Sequence, residues 1–219
     1  MALHAVTERD RIHAHSILPL AVLEAMRHLD SPRDEAAAEY VDELLKKRLG
    51  LSDTVAAQIA RYELVARRDL GVAPGELEQI LRLASRRTDA ALVFADGGRR
   101  AARRALLRLP FTTRWAARRL PRFARRLVGY RAARRSVREV FGARLAREGR
   151  RGNAVVTVAD ATAIRATPDG AACGFYAAAF AELLRQLVDF DGAMLHSACR
   201  AHGDARCEWR STAAPGRTS

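Results

Sequence analysis

Apolar residues recur at helical spacing from Ile17 to Leu29, which predicts an opening helix. Ser31 and Pro32 then supply an N-cap and a first-turn proline for a second helix ending near Gly50. Ser52 and Asp53 cap a third, whose buried stripe is Val55, Ile59, Tyr62 and Val65. Pro74 opens a fourth through Leu77, Ile80, Leu81, Leu83 and Leu92, expected to stop before Gly97 and Gly98. From Arg100 to Gly142 the pattern stays helical with breaks at Pro110, Pro121 and Gly129, and leucines and aromatics interleave with arginine. The texture changes after Gly152: Val155, Val156, Val158 and Ile164 alternate as in a strand or hairpin. Pro168-Asp169-Gly170 is a turn, and Cys173 to Val188 is a helix with Phe175, Tyr176, Phe180, Leu183, Leu184 and Leu187 on its apolar side. Met194 to Arg200 and Cys207 to Arg210, joined through His202-Gly203-Asp204, read as an antiparallel hairpin.

The expected fold class is therefore α+β, with helices first and a small antiparallel sheet in the last third. The expected organisation is a helical region over 1–78, a ligand-binding domain over 79–212 and a loose tail over 213–219. No period of 20 to 50 residues marks a solenoid.

Composition narrows the class. With 49% hydrophobic and 29% charged residues the 219-residue chain carries no disorder signature, and no apolar run is long enough for a membrane span. Charges and histidines stand where an export signal would need an apolar stretch, so the expected location is the cytoplasm. The net charge of +13 is almost all arginine, since Lys46 and Lys47 are the only lysines. Compositional bias toward arginine and alanine discounts the total, but the excess is local. Between Arg99 and Arg151 the only acidic residues are Glu139 and Glu148. Arg114, Arg118, Arg122, Arg125 and Arg126 could meet an acidic ligand, nucleic-acid phosphate or a lipid surface, and a solvated face is the plain alternative.

All three cysteines, Cys173, Cys199 and Cys207, lie in the last fifty residues. With the hairpin turn centred on Gly203, Cys199 lies opposite Cys207, bringing two thiols face to face. Cys173 opens a helix, where backbone N–H groups and the helix dipole favour thiolate. His196 precedes Cys199 by three residues, so a bend or bulge is needed to aim both at one ion. The result would be a tetrahedral Cys₃His set suited to zinc. His202 is the rival fourth ligand, and three ordinary buried thiols are the plain alternative. His4, His13, His15 and His28 show no partnering pattern.

The run Cys173-Gly174-Phe175-Tyr176 leading into Phe180-Ala181-Glu182-Leu183-Leu184, followed by His196, Cys199, Gly203-Asp204, Cys207 and Trp209, resembles the 4-vinyl-reductase domain family. Leu83 to Thr88 and Ala105 to Pro110 resemble the stretch that precedes this domain in bacteriochlorophyll 4-vinyl reductase proteins. The resemblance covers Cys173 to Arg210, extends less sharply back to Leu83 and stops there. It implies an α/β ligand-binding fold shared with TRAPP subunits and haem-based nitric-oxide sensors, enclosing small apolar ligands. It also implies a structural zinc, since phenol-responsive activators with this domain hold one on three cysteines and a carboxylate. Cys173, Cys199 and Cys207 match those cysteines in order and spacing, and His196 stands in the carboxylate's place.

Neither a Gly-x-Gly-x-x-Gly loop after a strand, a Walker loop nor a Ser/His/Asp set is present, so the expectation is a binding module rather than an enzyme. Tetrapyrrole reduction would need a separate reductant-binding partner. The expected function is sensing or carrying a small hydrophobic molecule, such as a tetrapyrrole or aromatic. Expected ligand-contacting residues are Phe111, Trp115, Phe123, Tyr130, Phe141, Phe175, Tyr176 and Phe180, each with core filling as its plain alternative. An arginine-rich regulator of nucleic acid is the functional alternative. A membrane surface and a second copy of the chain are the remaining partners considered.

Overall fold

In a computed structural model the chain is described over residues 14–31, 49–112, 121–148, 153–159 and 162–213. The helices are α1 (Ile17–Asp30), α2 (Asp53–Arg67), α3 (Pro74–Ser85), α4 (Ala90–Leu107), α5 (Arg122–Phe141), α6 (Thr162–Ala166) and α7 (Cys173–Val188). Strands β1 (Ala14–His15) and β2 (Gly71–Val72) form a short antiparallel pair. Strands β3 (Ala143–Glu148), β4 (Asn153–Val158), β5 (Gly192–Ala198) and β6 (Cys207–Ala213) form an antiparallel sheet of order β3-β4-β6-β5. The fold is α+β, as the alternation of patterns predicts.

Local chemistry explains several boundaries. The Ser52 hydroxyl accepts from the Val55 N–H at 3.3 Å and starts α2, as expected. Asp189, at φ 60°, closes α7 in the left-handed conformation. The expected helix from Pro74 through Leu92 is instead two, α3 and α4, separated by Arg87 and Asp89. The Arg87 guanidinium donates to both oxygens of buried Asp30 at 2.7 and 2.8 Å and to both of Asp89 at 2.7 and 2.9 Å. Asp30 also accepts from the Gly50 N–H at 2.8 Å, so one fork ties the end of α1 to the α3–α4 corner.

Gly97 and Gly98 do not end a helix; they sit inside α4, which lies between α1 and α7. A Cβ on Gly98 would overlap the Phe175 carbonyl oxygen, and one on Gly97 would stand 3.3 Å from the Val22 Cα. The glycines are spacers for close helix contact rather than a stop signal. For the same reason α5 runs unbroken through Gly129, whose Cβ would strike the Leu187 carbonyl.

One contiguous core joins α1 to the sheet, from Ile17 through Phe94 and Phe180 to Trp209. The boundary drawn between residues 78 and 79 therefore falls inside α3, and packing continues across it. The expected second helix over 32–48 and the tail beyond Ala213 lie outside the described residues, while Ala213 itself belongs to β6. The strand expected up to Ile164 stops at Val158, and Ile164 belongs to α6. Among the described residues no helix is long and apolar enough to cross a membrane.

Candidate metal centre

Four side chains converge where the start of α7 meets the β5–β6 hairpin. The ligand atoms of Cys173, His196, Cys199 and Cys207 all lie within 4.8 Å of one another. The cysteines are buried and form no disulfide, whereas His196 is exposed. In a tetrahedral zinc site with Zn–S near 2.3 Å the donors stand roughly 3.8 Å apart, so small side-chain movements would close this set on an ion. Three thiols and an imidazole are a donor set for a borderline-soft cation, and the four side chains lie close enough to hold one.

The convergence depends on one irregularity. In a regular strand residues three apart face opposite sides, which would separate His196 from Cys199. The β5–β6 register pairs His196 with Trp209 but Ala198 with Glu208, leaving Ser197 as the extra residue of a bulge. The bulge shifts the phase by one residue and returns His196 and Cys199 to one face. It is the irregularity that the spacing demands. The Ser197 hydroxyl donates to the Glu208 side chain at 3.2 Å, across the bulge.

Beyond the bulge the chain is held by its own hydrogen bonds. The Cys199 N–H donates to Asp204 Oδ2 at 2.7 Å, and the Cys199 carbonyl accepts from the His202 and Asp204 N–H groups at 2.9 and 3.3 Å. Gly203, at φ 93°, closes this knuckle. On the α7 side the Cys173 N–H donates to the Gly170 carbonyl at 2.9 Å, and the buried Thr167 hydroxyl accepts from the Ala172 N–H at 3.0 Å. Gly170, at φ 80°, lies so close that its Cβ would stand 3.2 Å from Cys199 Sγ. The knuckle thus holds the Cys199 backbone, while the Gly170 turn packs close to its sulfur.

Burial, reinforced by the neighbouring Cys207 and Cys199 thiols, pushes the Cys173 thiol well above the ordinary range. Burial likewise pushes Cys207 up. Desolvation and crowding therefore oppose the thiolate that the helix terminus favours at Cys173. Although His196 is exposed as a whole, partial desolvation of its ring, with the neighbouring His202, holds the imidazole below the usual histidine range. Its ring stacks on Trp209 with centroids 4.8 Å apart and planes 12° from parallel. A neutral imidazole is the form that can donate a lone pair to a metal.

The expected ligand-contacting aromatics disperse. Phe175 and Phe180 are fully buried in a cluster with Phe141, Tyr176 and Trp209, where Phe180 lies 5.4 Å from Trp209 and 5.5 Å from Phe141. These two fill the core, because ring partners occupy the space around them. Tyr176 and Phe141 also reach a cavity of about 580 Å³, and Tyr130 one of about 480 Å³ beneath Arg126 and Arg147. Phe111 is 71% exposed. Trp115, Arg114, Arg118 and the side chains of Arg122, Phe123 and Arg125 lie outside the described residues. Sequence reasoning missed Ser197, Asp204 and Gly170 as supports of the cluster. The turn signals at Pro168-Asp169-Gly170 and Gly203-Asp204 were visible, but which sulfur each turn touches was not.

No family model matches this chain, and neither a curated protein nor a solved structure is detectably similar to it.

Proposed function

We propose that this protein is a binding module that senses or carries a small hydrophobic molecule, with one zinc ion on Cys173, His196, Cys199 and Cys207 as a structural clamp. The single observation that carries the metal half is the Ser197 bulge, which spends an irregularity of β5 on aiming His196 and Cys199 at the same point. With all four positions filled by protein, no position is left for water or substrate, which supports a structural rather than catalytic ion. The ion would pin the start of α7 to the β5–β6 hairpin, so its binding energy becomes folding energy. The ligand half draws on the resemblance to the 4-vinyl-reductase domain family and on cavities of a size that suits small molecules.

Elemental analysis of protein purified without chelator, paired with thermal unfolding of wild type and Cys199→Ser, tests the clamp. One zinc per chain, lost in the variant together with a large fall in melting temperature, is the expected result. Full stability without metal would leave three buried thiols and remove the clamp.

A second reading has one observation behind it. Helix α5 presents Arg131, Arg134, Arg135 and Arg138 at exposed positions, as a polyanion-binding ridge would. Nucleic-acid affinity falling steeply with salt would favour it, and salt-insensitive binding of an apolar dye would favour the module.

A further inference from the structure

Two cavities adjoin on the side of the molecule that carries the metal cluster. The larger, of about 580 Å³, is walled by Leu18, Leu77, Val140, Phe141 and Tyr176, with His15, Glu139 and three arginines also in its lining. It lies between the N-terminal helices and the α5–β3 corner, and it reaches the cluster through Tyr176, one turn after Cys173, and Arg200, next to Cys199. The smaller, of about 470 Å³, is lined by Arg138, Arg144, Arg206 and Thr157 around the Gly142 corner. Its described lining contains no carboxylate. The two share Arg138, Gly142 and Ala159 in their linings, so the compartments adjoin along the Gly142 corner.

Arg165 is neutralised by Glu78 at 3.0 Å, whereas the guanidinium groups around the smaller cavity are only partly neutralised. Arg206 meets Glu208 at 3.2 Å and Arg138 meets Glu139 only at 4.0 Å, while no ion pair to Arg144 is found among the described residues. Arg200 spends one N–H on the Ala159 carbonyl at 2.9 Å, at the junction of the cavities. Like charges gathered around a concave surface repel one another and raise the local concentration of anions. Arginine's planar fork matches the oxygens of a carboxylate or similar oxyanion. A bare inorganic anion would leave the apolar compartment wet, and a plain hydrocarbon would leave the arginines uncompensated.

From this juxtaposition we infer that the adjoining cavities take one amphiphilic anion: an apolar or aromatic body against Leu18, Leu77 and Phe141, and a single oxyanion head group among Arg138, Arg144 and Arg206. The inference rests on the small-ligand reading above and narrows it to apolar acids. It also places the ligand beside both elements that the proposed ion would pin together, α7 through Tyr176 and the β5–β6 hairpin through Arg200 and Arg206.

The test uses the full metal-loaded chain and calorimetric titration with octanoate kept below micelle-forming concentrations, with 1-octanol and acetate as matched probes lacking the head group or the body. Octanoate is expected to bind once per chain, about tenfold or more tighter than octanol. Arg144→Glu, an exposed position, is expected to weaken octanoate by about tenfold or more while leaving octanol within about twofold. Arg144→Gln and Arg206→Ala give the same direction with less change of charge, and serve if the reversal impairs folding. Octanol binding as tightly as octanoate, or octanoate insensitive to all three variants, would overturn the head-group assignment and leave the apolar module standing. Acetate as tight as octanoate would remove the apolar compartment from the proposal. If neither octanoate nor octanol bound, this inference and the small-ligand reading would fall together.

Discussion

Gly170→Ala separates the proposed metal centre from the backbone that surrounds it. Gly170 adopts φ 80°, a left-handed conformation that costs an L-residue about 1–2 kcal/mol, and that cost falls on metal-free and metal-loaded protein alike. The added Cβ would also stand 3.2 Å from Cys199 Sγ and 3.5 Å from the Ala201 Cβ, tighter than an ordinary contact at the sulfur. Without an ion to hold it, the Cys199 sulfur needs to give by only a few tenths of an ångström to relieve that contact. When the sulfur is a ligand it cannot give, so overpacking of about 1 kcal/mol or more appears only in the loaded state. Unfolding without metal should therefore lose about 1–2 kcal/mol, and metal affinity should fall by roughly fivefold or more. Gly142→Ala is the control: at φ 60° it carries a comparable strain, but its Cβ meets nothing within 4 Å, so stability should fall while metal affinity holds. Denaturant unfolding with and without metal, and competition against a chromophoric chelator, give both quantities. An unchanged affinity in Gly170→Ala beside the full stability loss would mean that Cys199 is not a ligand.

Other consequences follow from packing and charge elsewhere in the chain. Gly98→Ala drives a Cβ into the Phe175 carbonyl oxygen, and thermal unfolding should show a loss of about 3 kcal/mol or more; a near-neutral variant would mean that α4 and α7 do not touch there. Arg87→Met leaves the Asp30 carboxylate, with side chains 16% and 6% exposed in the pair, buried without its fork, and denaturant unfolding should register a loss of about 3–5 kcal/mol at neutral pH. His15 is held down at about 4, by burial first and by Arg108 next, against a partial opposing pull from Asp69. The unfolded chain therefore binds a proton there between about pH 6.5 and 4 that the folded chain refuses, so stability at this site is full above that window and lost as pH falls through it. His15→Gln should flatten that part of the pH–stability curve by on the order of 1–2 kcal/mol after solvent screening, and an unchanged curve would contradict the burial of the imidazole.

What the sequence makes legible depends on whether a residue's role is set by its neighbours in the chain or by a distant partner. Ser52, Pro74 and the Cys173–Val188 periodicity act within a few residues of themselves, and α2, α3 and α7 begin where those signals stand. The convergence of His196, Cys199 and Cys207 was readable for a similar reason: Cys199, Gly203 and Cys207 lie in one hairpin, and the need for a bulge follows from counting alternation between His196 and Cys199. Gly97 and Gly98 fail that test, because their meaning is set by Phe175 and Val22, far away along the chain. A glycine pair that ends a helix and one that lets two helices touch look alike until the neighbour is known. Strand β3 was missed although buried Ala143 and Leu145 alternate with exposed Arg144 and Ala146, because arginine and alanine are so common here that period two hardly stands out. The same abundance hides the charged compartment. Arg138, Arg144 and Arg206 sit on α5, on β3 and just before β6, and only the register of β3 on β4 and of β4 on β6 brings them around one cavity. A local excess of arginine predicts an anion in general. A single head-group site follows only once the sheet has assembled three of these arginines around an apolar mouth, which makes Arg144, rather than the arginine-dense run before it, the position where a charge reversal should be felt.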